Sequence, residues 1–186
     1  MQEQPYLLDR HLDDLVGLPL RSLRSLIASA DGLALSSAQR LARIVYWLTK
    51  VRGYKTVSRF FPHGVHDLGL LVRILDDEAA LGRTSWEMRF VLLLWLALVC
   101  MLPFYLARFD QSSSTSQPAV DVVLSVGKRY LASSGKERDA AAYLLGRVFV
   151  RCAQPCRPKL SAQQGRRSAA SARLPHLGAR TARLDR

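Results

Sequence analysis

WEMRFVLLLWLALVCMLPFYLARFD, running from Trp86 to Asp110, decides the fold. From Phe90 to Ala107 it carries 18 residues without a charge, bounded by Arg89 and Arg108. That length reaches the lower edge of a bilayer span, about 17 to 25 residues. Three features favour a buried helix in a protein core. Pro103 ends a regular helix and leaves about 16 residues from Ser85, because its ring has no N–H and clashes with the preceding turn. Thr84 with Glu87 has the spacing of a capping box, a start signal of water-exposed helices. The flanking segments also carry apolar stripes of their own, which need a partner to bury against. A central core helix is therefore the expectation, and a membrane-associated helical protein spanning through Phe90–Ala107 is the alternative.

Outward from that segment the chain reads as all-α. Upstream, Tyr6 to Ala30 is amphipathic, with Leu7, Leu8, Leu12 and Leu15 at helical spacing, and Pro19 is expected to divide it into two short helices. Ser36 with Gln39 forms another capping-box pattern, ahead of Leu41, Ile44, Val45 and Leu48 on one stripe that ends near Gly53. After Pro62 a stripe of Val65, Leu68, Val72 and Leu75 closes on Asp76, Asp77 and Glu78. Downstream, Gln111 to Gln117 (QSSSTSQ) is a polar connector. Val120, Val123, Leu124 and Leu131 give the next stripe, and Ser134 with Glu137 a third capping box before Ala141, Leu144, Leu145 and Val148. Helix pairs of about 40 residues suit a HEAT or armadillo stack, although no repeat motif recurs letter for letter and a compact bundle stays open.

The formal charge of +12 at 186 residues has the look of a nucleic-acid binder until it is divided along the chain. Residues 1–150 hold 18 Lys/Arg against 14 Asp/Glu, whereas 151–186 hold 9 against 1. The excess belongs to an Arg-, Ala- and Ser-rich tail poor in large apolar residues, for which disorder is expected. The expected domains are a helical repeat segment, 1–150, and this tail, 151–186. Nucleic-acid binding through the tail is charge before function, and none is expected. Three cysteines, Cys100, Cys152 and Cys156, are too few for a disulfide scaffold, and MQEQPYLLDRHLDD does not read as a secretory leader, so a reduced cytoplasmic setting is the expectation.

Catalytic chemistry finds no footing. There is no G-x-S-x-G elbow, phosphate-binding glycine loop or H-E-x-x-H helix. His63, His66 and Asp67 cluster at a helix start, but zinc takes three or four protein ligands and nothing supplies the rest. Cys152 and Cys156 have no second pair. No catalytic residue, cofactor or metal is assigned. The informative polar stretch is KVRGYK, Lys50 to Lys55, followed by Arg59. Lys50, Arg52, Lys55 and Arg59 beside Tyr54, Phe60 and Phe61 have the composition of a grip on an acidic protein surface. The plainer reading is a solvated helix end closed by Gly53, where cations also favour the helix dipole.

At LTKVRGYKTVSRFFPHGVHDL, Leu48 to Leu68, the sequence resembles the N-terminal region of the tubulin-specific chaperone D family, also called tubulin-folding cofactor D. The shared features are the K-V-R-G-Y-K-T core and the R-x-F-P-H that follows. The similarity continues at Trp86–Asp110 with W-E-x-R-x-x-L-L-L-W-L, at SSGKERDAAAYLLGR (Ser133 to Arg147) with R-D-A-A-A, and at YLLDRHLDDLV (Tyr6 to Val16) with L-L-D-x-H-L. It runs in order from about Tyr6 to Val150. The resemblance implies a HEAT/armadillo-type solenoid that captures β-tubulin after its release from the cytosolic chaperonin. It implies work with the other tubulin-folding cofactors and an Arf-like small GTPase to make or dismantle the αβ-tubulin heterodimer. A cytoplasmic, microtubule-cytoskeleton location follows from it, as does GTPase activation exerted only in the assembled complex. On this reading the chain is a chaperone scaffold and not an enzyme, membrane association is not expected, and the partner surface is Lys50, Arg52, Tyr54, Lys55 and Arg59. The family proteins are many times longer, so an apolar edge is expected where a further repeat would stack after Val150.

Overall fold

The computed structural model describes residues 4–29, 32–77, 84–102 and 118–153, with side chains from 35 in the second stretch and to 151 in the last. The chain divides into units Met1–Gln154 and Pro155–Arg186, and every described residue lies in the first. The connector Gln111–Gln117, the residues from Pro103 to Arg108 and most of the basic tail, with Cys156, lie outside the described residues. No strand occurs among those described. A 3-10 turn, Pro5–His11, leads into α1 (Leu12–Ser29), α2 (Gly32–Arg52) and the single-turn α3 (Tyr54–Val57), followed by a 3-10 turn, Ser58–Phe60. Then come α4 (Asp67–Asp76), α5 (Trp86–Val99), α6 (Ala119–Leu131) and α7 (Glu137–Ala153).

Among the described residues three helix pairs stack. α1 packs on α2, α4 on α5 and α6 on α7, while α2, α5 and α7 touch in succession to form one layer and α4 meets α6 in the other. α5 sits at the centre. Val91, Leu92, Leu93, Leu94, Trp95, Leu96 and Ala97 are all buried, so the helix is apolar all round because neighbours surround it. Trp95 still needs a partner for its indole N–H, and donates to the Pro62 carbonyl at 2.9 Å. The helix ends at Val99, ahead of Pro103. At 14 residues it is about 21 Å long, against about 30 Å of bilayer core. No helix among the described residues is long and apolar enough to cross a membrane, and residues 103–107 of the alternative span Phe90–Ala107 lie outside the described residues.

Several local expectations are corrected. Pro19 lies inside α1 and does not divide it. A proline φ is already helical, so the loss is one hydrogen bond, from the Leu15 carbonyl, and Leu15 is on the exposed side. Burial of Leu12, Val16, Leu20, Leu23 and Ile27 on both sides of the proline outweighs that loss. α2 starts at Gly32, so Ser36 and Gln39 are interior to it and do not mark its N-terminus. Its buried face is Ala38, Ala42, Val45, Tyr46 and Thr49, leaving Ile44 half-exposed. Small Ala side chains lie on the buried face, and the bulkier Ile44 is rotated out.

The other two capping boxes are also displaced. Ser85 caps α5, its Oγ accepting from the Met88 N–H at 3.3 Å, which makes Glu87 the second residue of the helix, out of reach of a box. α7 begins at Glu137 itself, with the Glu137 carboxylate accepting from Ser133 Oγ at 2.9 Å. Both acids, with Asp67, are instead buried first-turn carboxylates that tie helices together. Arg24 Nε meets Asp67 Oδ1 at 2.7 Å (α1 to α4), Arg43 Nε meets Glu87 Oε1 at 3.1 Å (α2 to α5), and Arg89 Nη2 meets Glu137 Oε1 at 3.3 Å (α5 to α7). Arg129 Nη2 to Asp76 Oδ1, at 3.0 Å, joins α6 to α4. Each first-turn carboxylate also gains from the positive end of its own helix dipole.

Candidate partner-binding surface

α2 ends because Gly53 takes φ +88°, a left-handed conformation that a side chain would strain. Its N–H donates back to the Thr49 carbonyl at 2.9 Å, and its own carbonyl accepts from Thr56 and Val57, each at 3.2 Å. One glycine thus closes α2 and opens α3. Lys50, Arg52, Tyr54, Lys55 and Arg59 are carried on this corner and on the 3-10 turn after it.

The five do not act alike. The Arg52 guanidinium donates to both carboxylate oxygens of Asp9, with Nη2 at 2.6 Å from Oδ2, a bidentate grip that holds the first turn of the chain against α2. That hydrogen bond keeps the Asp9 carboxyl below the usual carboxylate range and raises Arg52 in turn. Tyr54 meets the Tyr143 ring of α7 edge-on at 5.2 Å. Lys50 is exposed, its Nζ 5.8 Å from the centroid of the Tyr46 ring, and Lys55 and Arg59 are exposed as well. Phe60 is half-buried and Phe61 is buried edge-on against Trp95 at 6.4 Å, so these aromatics serve the core. Three cations, Lys50, Lys55 and Arg59, are left facing solvent.

Asp67 Oδ1 is paired with Arg24, and among the described residues no group of three His, Cys, Asp or Glu could hold a metal. Cys100 is buried and the side chains of Cys152 and Cys156 lie outside the described residues.

Sequence reasoning missed one surface feature. Ile44, Trp47 and Val51 are 50%, 58% and 51% exposed and, at i, i+3 and i+7, form one apolar stripe along α2. The available signal was that Ala38 and Ala42 repeat on the opposite side, where a close helix contact favours small residues.

Stacked helix pairs sharing one continuous helix layer define a HEAT/armadillo-type repeat segment. Comparison with known proteins places it more closely. A family model described as tubulin-specific chaperone D-like, ARM repeat matches residues 1–157, and the chain belongs to that family. It is 29% identical over 150 residues to the tubulin-folding cofactor D of Schizosaccharomyces pombe, covering 81% of this chain and 12% of that protein. It is 23% identical to the tubulin-specific chaperone D of Dictyostelium discoideum, covering 80% of this chain and 16% of that protein. The chain thus spans less than a fifth of the length of these relatives. No solved structure matches it.

Proposed function

We propose that the chain binds β-tubulin as a scaffold segment of the post-chaperonin tubulin-folding pathway. Membership of the chaperone D-like family over residues 1–157 carries the reading. The partner surface is the corner between α2 and α3, where Lys50, Lys55 and Arg59 present positive charge and Arg52 and Tyr54 brace it from within. Opposite charge steers the encounter with an acidic client.

On the same proposal, the chain acts with other tubulin-folding cofactors and an Arf-like small GTPase in assembling and dismantling the αβ-tubulin heterodimer. Its setting is the cytoplasm and the microtubule cytoskeleton. It performs no catalysis itself, GTPase activation arising only in the larger assembly. The division into a helical segment, 1–150, and an Arg-rich tail, 151–186, belongs to the proposal too, with α7 continuing to Ala153.

Co-precipitation of β-tubulin with the tagged chain from a detergent-free extract tests the reading. Tubulin recovered with wild type and lost with Lys50→Glu/Lys55→Glu/Arg59→Glu supports it. A soluble, folded wild type that recovers no tubulin contradicts it.

A further inference from the structure

The apolar stripe on α2 faces solvent along half or more of each side chain. Ile44, Trp47 and Val51 lie opposite the buried face of Ala38, Ala42, Val45 and Thr49, and each is at least half-exposed. Trp47 touches the rest of the molecule through the edge of the Tyr46 ring, centroids 5.6 Å apart. One flank of the stripe is basic: Arg40 lies one turn before Ile44, Arg43 one turn before Trp47, and Lys50 one turn after it, while Leu41 and Leu48 border the other flank. α2 contains no Asp or Glu at all. Arg43 pairs with Glu87 while its side chain stays 59% exposed, so its charge still borders the stripe.

We propose that this stripe is a docking surface for an amphipathic helix of a partner protein, with apolar residues on one face and Asp or Glu along the flanks. The apolar spacing i, i+3, i+7 matches the anchor pattern by which helices engage one another, and an exposed Trp is the side chain most often found at the energetic centre of an interface. The charge of the rim selects the occupant. A second copy of this chain would set one basic rim against another. The chain's own residues 151–186, with 9 Lys/Arg against 1 acid, carry the same wrong sign. Three apolar side chains on a helix held in a stack are also a small area for insertion into a membrane surface, which takes a long apolar face.

The test is fluorescence anisotropy with the purified full chain and two labelled synthetic helices of about 18 residues. Both have Leu on one face, and they carry either Glu or Lys on the flanks. The Glu helix should bind about tenfold or more tighter than its Lys twin at low salt. Trp47→Ala should weaken the Glu helix about tenfold. Arg40→Glu/Lys50→Glu should reverse the preference between the two helices. All three sites are exposed, and an unchanged far-UV spectrum and melting curve separate loss of binding from loss of fold. Equal binding of both helices, binding of neither, or an unaltered Trp47→Ala overturns the proposal. So does Trp47-dependent sedimentation with phosphatidylserine vesicles, which makes the stripe a membrane contact, or a Trp47-dependent dimer in analytical ultracentrifugation.

Discussion

Replacing Gly127 with alanine should destabilise the stack, against the usual preference of helices for alanine. Gly127 is buried in α6 where that helix crosses α7, and a Cβ there would lie 2.6 Å from Cδ2 and 2.9 Å from Cγ of Leu145. Ordinary carbon contacts are about 3.5 to 4.0 Å, so about 1 Å must be recovered by movement. Cγ is the branch point of a buried leucine, and turning its terminal methyls does not clear the clash. Overpacking of this kind costs about 1–3 kcal/mol, and the gain in helix propensity returns about 1 kcal/mol. The net expectation is a loss of up to about 2 kcal/mol, or up to about 8 °C in melting temperature for a segment of this size. Thermal unfolding followed at 222 nm reads it, with Gly146→Ala as the internal control. Gly146 is exposed on α7 and a Cβ there meets nothing within 4 Å, so that change should stabilise by up to about 1 kcal/mol. Trimming Leu145 to alanine in the Gly127→Ala background should show favourable coupling in a double-mutant cycle. A Gly127→Ala protein stabilised as much as the Gly146→Ala control would refute the close packing of α6 on α7.

Glu137→Ala should cost about 3 kcal/mol in urea denaturation, because it strips the buried end of the Arg89 pair, whereas Glu137→Leu with Arg89→Met should fall close to wild type. Pro19→Ala should stabilise α1 by about 1 kcal/mol or more by restoring the donor to the Leu15 carbonyl, and a destabilised variant would argue against a continuous helix there. Burial pushes the Tyr130 phenol, which donates to the Leu75 carbonyl at 3.2 Å, above its ordinary value of about 10. The unfolded chain therefore ionises first. Stability is intact below about pH 10 and falls as pH rises through the folded value, and Tyr130→Phe should flatten that alkaline slope.

What the sequence made legible follows from where the physics is local. α5 was readable because a run of apolar residues ended by proline has few alternatives, and α7's Ala141, Leu144, Leu145 and Val148 are buried as their spacing predicts. The end of α2 at Gly53 was readable for the same reason, a backbone angle that glycine alone adopts freely. The capping boxes were misread because Glu87 and Glu137 satisfy two local rules at once, a box with an upstream hydroxyl and an ion pair with an arginine 44 or 48 positions away. Only the tertiary fold decides between them. α2's exposed stripe was hidden likewise, since Ile44 scores as core by hydrophobicity while the fold buries the smaller Ala38 and Ala42. Within the candidate surface the sequence grouped five residues by proximity, and the fold separates Arg52 and Tyr54, which hold Asp9 and Tyr143, from the three exposed cations.

The most direct test of the account is sedimentation velocity of the purified chain mixed with β-tubulin at low and at physiological salt. The expected result is a complex that weakens as salt rises, consistent with steering by Lys50, Lys55 and Arg59, and that disappears when all three are reversed to glutamate without a change in fold. A folded chain that forms no complex at either salt, or a complex indifferent to the triple reversal, would contradict it.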